Sequence, residues 1–400
     1  MRIFIICNKS PWPPNEGGSM AMYSIITGLL DAGHQVKVLA VNSDKYAVSM
    51  ADVPEDFRKN TAFDTVFLTL KVNPWHAFIN LFSRKSYNIQ RFVSATLRNK
   101  IIEILSHNTF DIVNLEMLHT TPYINTIRAY SDAAIVLRAH NIEHLIWERV
   151  SKTSRNPLVR FYTGHLARTL KRYELGILGK VDGIAAITPT DADFFRSRAP
   201  ELPVVAIPFG ITHVASAPPV TCEYPSLFHL GSMNWRPNAD GIRWFLDEVW
   251  PLIHPAFPEL KFYLAGRHMP GWLLQRNDPN VINLGEVEDA QLFMYTKSVM
   301  IVPLLSGSGI RIKIIEGMMA SRTIISTTIG AEGILVTPGK DILLADTPEQ
   351  FLQAVELVVQ NEQRCLAIGA EARKTILEKY DNRRIISQLT AFYQSLRNTD

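Results

Sequence analysis

Residues 302–320 read Val-Pro-Leu-Leu-Ser-Gly-Ser-Gly-Ile-Arg-Ile-Lys-Ile-Ile-Glu-Gly-Met-Met-Ala. An apolar run ends at Pro303, small residues fill 306–309, and a helical pattern opens near Ile310. Small residues let the backbone approach a ligand, and the free amides at a helix start bind phosphate. Arg311 and Lys313 then fall in the first turn, where the helix dipole disfavours cations by ~0.3–1 kcal/mol. A bound diphosphate reverses that preference, because each charge-assisted hydrogen bond contributes ~1.5–3 kcal/mol. Glu316 follows Lys313 by three residues and Gly309 by seven, so it shares a helix face with both. A carboxylate there can accept hydrogen bonds from the vicinal hydroxyls of a ribose. The competing account is a surface helix carrying a Lys–Glu pair. Arg311 and Lys313 are about 200° apart around a regular helix, so only an irregular first turn lets both face one phosphate.

Two further loops carry candidate groups. Pro11-Trp-Pro-Pro-Asn-Glu-Gly-Gly18 follows the first strand-like run, and Gly17 and Gly18 at a helix start suit close approach of a phosphate or sugar. Arg138-Ala-His140-Asn-Ile-Glu143 follows another strand-like run, and the His140 imidazole can donate or accept a hydrogen bond at neutral pH. Arg267 and Arg236 each follow a strand of the second half, as site cations or as solvated loop arginines.

The elements that hold these loops alternate short β-branched runs with longer amphipathic stretches, the pattern of parallel sheets covered by helices. Strands are predicted at 2–7, 35–41, 65–70, 111–115, 134–138, 183–188 and 204–207, with a helix over 19–32 closed by Gly33. Residues 208–225 carry four prolines and no periodic pattern, which marks a linker. Alternation restarts with strands at 227–231, 261–266, 281–284, 299–303, 323–327 and 341–344. Helices fall at 238–254, 289–296, 310–320 and 348–360, and a last helical stretch, 370–398, breaks at 380–382. The domains read as 1–207, 226–380 and a terminal helix, 381–400, returning to the first. Ligands of open α/β sheets bind beyond the carboxyl ends of the strands, so loops that leave strands outrank the rest.

The chain is 47% hydrophobic and 20% charged, without low-complexity tracts, and is therefore globular. No apolar run reaches the ~20 residues needed to span a bilayer, and the first one is too short for a signal-peptide core. Cys7, Cys222 and Cys365 lack metal-ligand spacing and read as reduced thiols of a cytoplasmic protein. Residues 1–205 hold 24 Lys and Arg against 18 Asp and Glu, and the remainder 17 against 20. The basic half is the one expected to meet an anionic surface or substrate. Within it, 152–173 interleaves six cations with Phe161, Tyr162, Leu166 and Leu170. Such a helix suits peripheral contact with the inner membrane or a solvated face over a core stripe.

Three segments carry a family likeness: 230–238 (Leu-Gly-Ser-Met-Asn-Trp-Arg-Pro-Asn), 307–316 and 327–333 (Thr-Thr-Ile-Gly-Ala-Glu-Gly). With them the chain resembles the retaining GT-B glycosyltransferases of family 4, the glycosyl transferases group 1, over nearly its whole length. The resemblance implies an α/β fold of two facing Rossmann-like domains with a C-terminal helix crossing back to the first. It implies a metal-independent, hexosyltransferase-type enzyme that uses a nucleotide-diphosphate sugar as co-substrate, has no other cofactor and retains the anomeric configuration. A glycan or lipid-linked acceptor, as in polysaccharide assembly, is implied, and nucleic acid is not. His140 matches the histidine that reaches the donor sugar, and Val287 the backbone position that holds the nucleotide base. Ser308 stands where the family has a first donor-loop carboxylate. Ser232 and Pro237 stand where it has an arginine and a lysine, so Arg236, Arg267, Arg311 and Lys313 are expected to supply the missing charge. The alternatives are a nucleotide-sugar epimerase on the same plan and a non-catalytic nucleotide-sugar-binding subunit.

Overall fold

The structure, a computed structural model, describes residues 1–14, 17–44, 46–71, 73–154, 156–211, 220–307 and 310–397. The chain divides into two compact units, Met1–Thr212 with Asn382–Asp400, and His213–Asp381.

In the first unit the strands are β1 (Arg2–Cys7), β2 (Gln35–Ser43), β3 (Asp64–Leu68), β4 (Ile112–Glu116), β5 (Ala134–Ala139), β6 (Gly183–Ala186) and β7 (Val204–Ala206). They form one parallel sheet in the order β3-β2-β1-β4-β5-β6-β7. A strand covered on both faces must be apolar throughout, which is why Ile3-Phe-Ile-Ile-Cys7 does not alternate with polar residues. Phe4 and Ile6 enter one core with Leu97 and Ile101, whereas Ile3, Ile5 and Cys7 enter the other with Met22 and Ile26. The helix Gly17–Asp31 ends ahead of Gly33, whose φ of +80° is the left-handed conformation that favours glycine.

The terminal helix Asn382–Arg397 buries Ile385, Ile386, Leu389 and Tyr393 in that second core. Its start is fixed by Asn382. The Asn382 backbone N–H donates to the Ile211 carbonyl at 3.3 Å and its Nδ2 to the Ser24 carbonyl at 3.1 Å. A Cβ on Gly28 or Gly210 would lie 2.6 Å or less from Asn382 side-chain atoms, so both glycines make room for this anchor.

The second unit contains β8 (Glu223–Leu230), β9 (Phe262–Ala265), β10 (Val281–Gly285), β11 (Lys297–Val302), β12 (Thr323–Ser326) and β13 (Leu343–Leu344), all parallel in the order β10-β9-β8-β11-β12-β13. β8 begins at Glu223, inside the stretch expected as linker, because Glu223 pairs with Lys297 of β11. The single helix expected over 238–254 forms as Arg236–Trp244, a π-helical turn Phe245–Val249, and Trp250–Ala256. Pro251 has no N–H to continue the α-helical ladder, and the turn ahead of it widens.

Both sheets reverse direction once, between β1 and β4 and between β8 and β11. At such a switch point the crossover helices leave toward opposite faces and open a crevice at the carboxyl ends of the two strands. β9 exits into the second of these through Gly266. Its φ is +149°, and a Cβ there would lie 1.9 Å from the Gly231 carbonyl oxygen. Gly266→Ala is therefore expected to cost about 2–4 kcal/mol of stability in chemical denaturation. Gly271→Ala, whose Cβ would meet nothing within 4 Å, should stay within about 0.5 kcal/mol.

Candidate active site

At the β8–β11 switch point the structure gathers groups from three elements around one amine. The Lys313 Nζ, in the first turn of the helix Ile312–Met319, donates to Asn238 Oδ1 at 2.6 Å and lies 3.4 Å from the Leu230 carbonyl and 3.4 Å from His229 Nε2. His229, fully buried on β8, donates its Nδ1–H to the Ile301 carbonyl at 2.8 Å, which leaves Nε2 as an acceptor facing the lysine. Asn238 is oriented in turn by its Nδ2, which donates to the Ser232 carbonyl at 2.9 Å. All three partners of Lys313 are neutral. Lost hydration and the neighbouring Arg311 charge push the lysine down to about 7. Burial and the Lys313 charge likewise hold His229 well below the usual histidine value.

Arg311 does not lie in the first turn, as the sequence pattern predicted. It caps the helix in an extended conformation (φ −88°, ψ 91°). This frees it from the 200° separation of a regular helix, and it is buried with its guanidinium 5.5 Å over the Trp235 ring. Gly307, at φ +130°, passes so close that a Cβ would meet Arg311 Nη2 at 2.8 Å.

Neighbouring segments pin the loop that follows β11. Thr327 Oγ1 donates to the Leu304 carbonyl at 2.6 Å, and Gly241 packs where a Cβ would lie 2.3 Å from the Pro303 carbonyl oxygen. Gly231 is the matching concession on β8's exit, since a Cβ there would meet Asn238 Nδ2 at 2.7 Å and Lys313 Nζ at 2.9 Å. Glu316, one turn after Lys313, is half-buried, and its carboxylate makes no hydrogen bond or ion pair among the described residues. Burial raises its pKa.

Other predicted positions lie elsewhere. Arg236 extends into solvent, its Nε 3.1 Å from Asp240 one turn on, and is not drawn into the Lys313 cluster. Arg267, also exposed, reaches Glu286 at 3.9 Å beside the half-buried Val287, so β9's exit and the loop after β10 adjoin. Ser308 and Gly309 lie outside the described residues.

The first unit builds its own cluster at the β1–β4 switch point. His140, just past β5, is buried with Nε2 2.6 Å from Glu116 Oε2 at the end of β4. The other Glu116 oxygen accepts from Asn114 Nδ2 at 2.8 Å, and Asn114 Oδ1 accepts from the Tyr393 hydroxyl of the terminal helix at 3.0 Å. Arg138 Nε lies 4.0 Å from the same carboxylate, both residues being fully buried. A carboxylate on Nε2 fixes the tautomer and leaves Nδ1 to accept. Past His140 the chain is held by Glu174, which accepts from the Glu143 and His144 amides and from His144 Nδ1 at 2.6 Å. Glu143, buried beside that carboxylate, is pushed up to about 8. Gly17 opens the helix after β1, and Gly18 packs on the Lys9 side chain, where a Cβ would meet Cε at 3.2 Å.

Sequence reasoning did not single out Lys9, Glu116, His229 or Asn238. Glu116 was legible, as an acid directly beyond a predicted strand. Tyr393 had no signal, because its partner is 279 residues away.

These two doubly wound units define the class: the chain has the GT-B fold. Solved structures share it along the full length, among them sucrose-phosphate synthase from Thermosynechococcus elongatus (TM-score 0.70, 14% identity, 100% of both chains). Anabaena HepE in complex with UDP matches with a TM-score of 0.65 and 13% identity over 99% of this chain and 100% of that one. More particularly, residues 224–361, within the second unit, match the family Glycosyl transferases group 1. Over 402 residues the chain is also 22% identical to an uncharacterised 44.6 kDa protein in the cps region of Klebsiella pneumoniae, covering 97% of this chain and 98% of that one.

Glu116→Gln should move the His140 proton. A glutamine offers one oxygen to the two donors that the carboxylate satisfies, so Nε2 is expected to become the acceptor. Side-chain ¹⁵N shifts of His140 check this, and an unchanged tautomer would remove Glu116 as its positioning residue. Tyr393→Phe strands the buried Asn114 oxygen and is expected to cost about 1–3 kcal/mol in denaturant titration.

Proposed function

We propose that this chain is a glycosyltransferase that moves a hexosyl group from a nucleoside-diphosphate sugar to a glycan or lipid-linked acceptor, retaining the anomeric configuration. The observation that carries the reading is the Lys313 amine, flanked by Arg311 and met only by neutral groups at a strand switch point. Lys313 and Arg311 carry like charges in a poorly hydrated crevice, and an anion relieves the repulsion that Lys313 feels. A pyrophosphate supplies that anion, and the free amides at the start of the helix Ile312–Met319 add donors to it. The group 1 match over 224–361 and the UDP bound by HepE support a nucleotide donor. The cps-region relative supports polysaccharide assembly as the setting.

In the proposed reaction the bond from the anomeric carbon to the β-phosphate oxygen breaks, and its electron pair stays on the phosphate. Arg311 and Lys313 stabilise that charge as it develops, as preorganised donors do in an oxyanion hole. The acceptor oxygen bonds to the anomeric carbon from the same face and passes its proton to the departing phosphate. In the second unit Glu316 receives the ribose hydroxyls and Val287 the base; in the first unit Gly17 and Gly18 are suited to close approach of a phosphate or sugar, and His140 to hydrogen bonding with a sugar. In this reading the two protein cations neutralise the leaving group without a metal or further cofactor.

A thermal-shift panel of UDP, GDP, ADP and their sugars tests the assignment, since a ligand that binds the native state raises its melting temperature with concentration over Kd. One nucleotide class is expected to stabilise the protein, with Glu316→Ala raising its Kd about ten-fold or more while the unliganded melting temperature holds. No stabilisation by any nucleotide would overturn the proposal. Affinity should also fall as pH rises through about 7, where Lys313 loses its proton, and Lys313→Met should flatten that dependence.

A further inference from the structure

The helix Pro74–Asn80 turns its apolar side outward. Trp75, Phe78, Ile79 and Phe82 recur at the spacing of one helix face, a pattern that ordinarily marks the side buried in a core. Here they are 67%, 51%, 50% and 82% exposed and pack on one another instead, with ring centroids 6.0 Å apart for Trp75–Phe78 and 5.7 Å for Phe78–Phe82. The helix Pro157–Ile177 adjoins this patch, its His165 Nε2 lying 3.1 Å from the Asn80 carbonyl. Phe161 and Leu158 fall one and two turns before His165 on the same face, 63% and 78% exposed.

The charges around this patch have one sign. No aspartate or glutamate occurs between Asp64 and Glu103 or between Glu148 and Glu174, and those two stretches hold thirteen lysines and arginines. Arg84, Lys85, Lys152, Arg160 and Arg168, carried by the same or adjoining segments, are exposed. Exposed aromatics alone would fit many partners. Aromatics rimmed by cations and cleared of acids fit the headgroup region of an anionic bilayer, where rings enter the interface and cations meet phosphates.

We propose that the surface formed by 74–85 and the first turns of the helix Pro157–Ile177 docks on anionic phospholipid. The contact is peripheral: no helix among the described residues is long and apolar enough to cross a membrane. It stands whether or not the chain transfers sugar, because no residue of this surface belongs to the Lys313 or His140 clusters.

Flotation of the full chain with vesicles of phosphatidylcholine, alone or mixed with phosphatidylglycerol, tests it. The protein is expected to float with the anionic vesicles, to be released by salt, and to remain behind with the neutral ones. Phe78→Ser with Phe82→Ser, and separately Arg84→Glu with Lys85→Glu, should each lower partitioning about ten-fold or more. Leu366→Ser, at an exposed apolar residue of the second unit, should not. Thermal unfolding of each variant confirms that it folds. Equal flotation with neutral vesicles, or aromatic variants that bind anionic vesicles unchanged, would overturn the proposal. So would a loss on Arg84→Glu with Lys85→Glu matched by equal capture on dextran sulfate and indifference to the phenylalanines, which would make the surface a general polyanion site.

Discussion

A lysine ammonium enclosed by an asparagine oxygen, a carbonyl and a neutral imidazole is the constraint around which the second unit is arranged. Each group has one role that the others presuppose. His229 can accept only because Ile301 takes its other ring proton, and Asn238 can accept only because Ser232 takes its amide. Gly231 must lack a side chain because the amine occupies that space. Gly266 must lack one because the Gly231 carbonyl lies against it. A neutral setting leaves the positive charge uncompensated, which raises the energy of the empty crevice and lowers that of one filled by an anion.

The first unit solves a different problem with similar means. Its buried carboxylate, Glu116, meets an imidazole and an amide as well as the Arg138 guanidinium 4.0 Å away, and it orients His140 through a direct hydrogen bond. The terminal helix contributes through Tyr393 and Asn382, which ties the orientation of a histidine past β5 to the last residues of the chain. Truncation of that helix would thus reach the site through hydrogen bonds as well as through lost packing.

How much of this was legible follows from the range of each interaction. Strands with continuous β-branched runs, such as Arg2–Cys7, were read to the residue, because burial on both faces leaves no other composition. Lys313 and Glu316 were read as one helix face from spacing alone. Arg311 was placed in the first turn rather than at the cap before it, because the extended conformation that brings it over Trp235 depends on tertiary contact and not on local preference. The π-helical turn before Pro251 was missed although its cause, a proline without an N–H, is local. His229 and Glu116 sit on strands as ordinary members of the pattern, and only the parallel sheet order brings them to the switch points. Arg236 and Arg267 were chosen by position after a strand, which fixes where the backbone goes but not where a long exposed side chain points.

The most direct measurement is the side-chain titration of Lys313, followed by NMR of ¹³C- and ¹⁵N-labelled lysine and assigned with Lys313→Arg. In the free protein this amine should titrate near 7, far below an ordinary lysine, and saturating nucleoside diphosphate should move its titration upward. An ordinary lysine titration in the free protein, or one that does not respond to the nucleotide, would contradict the account.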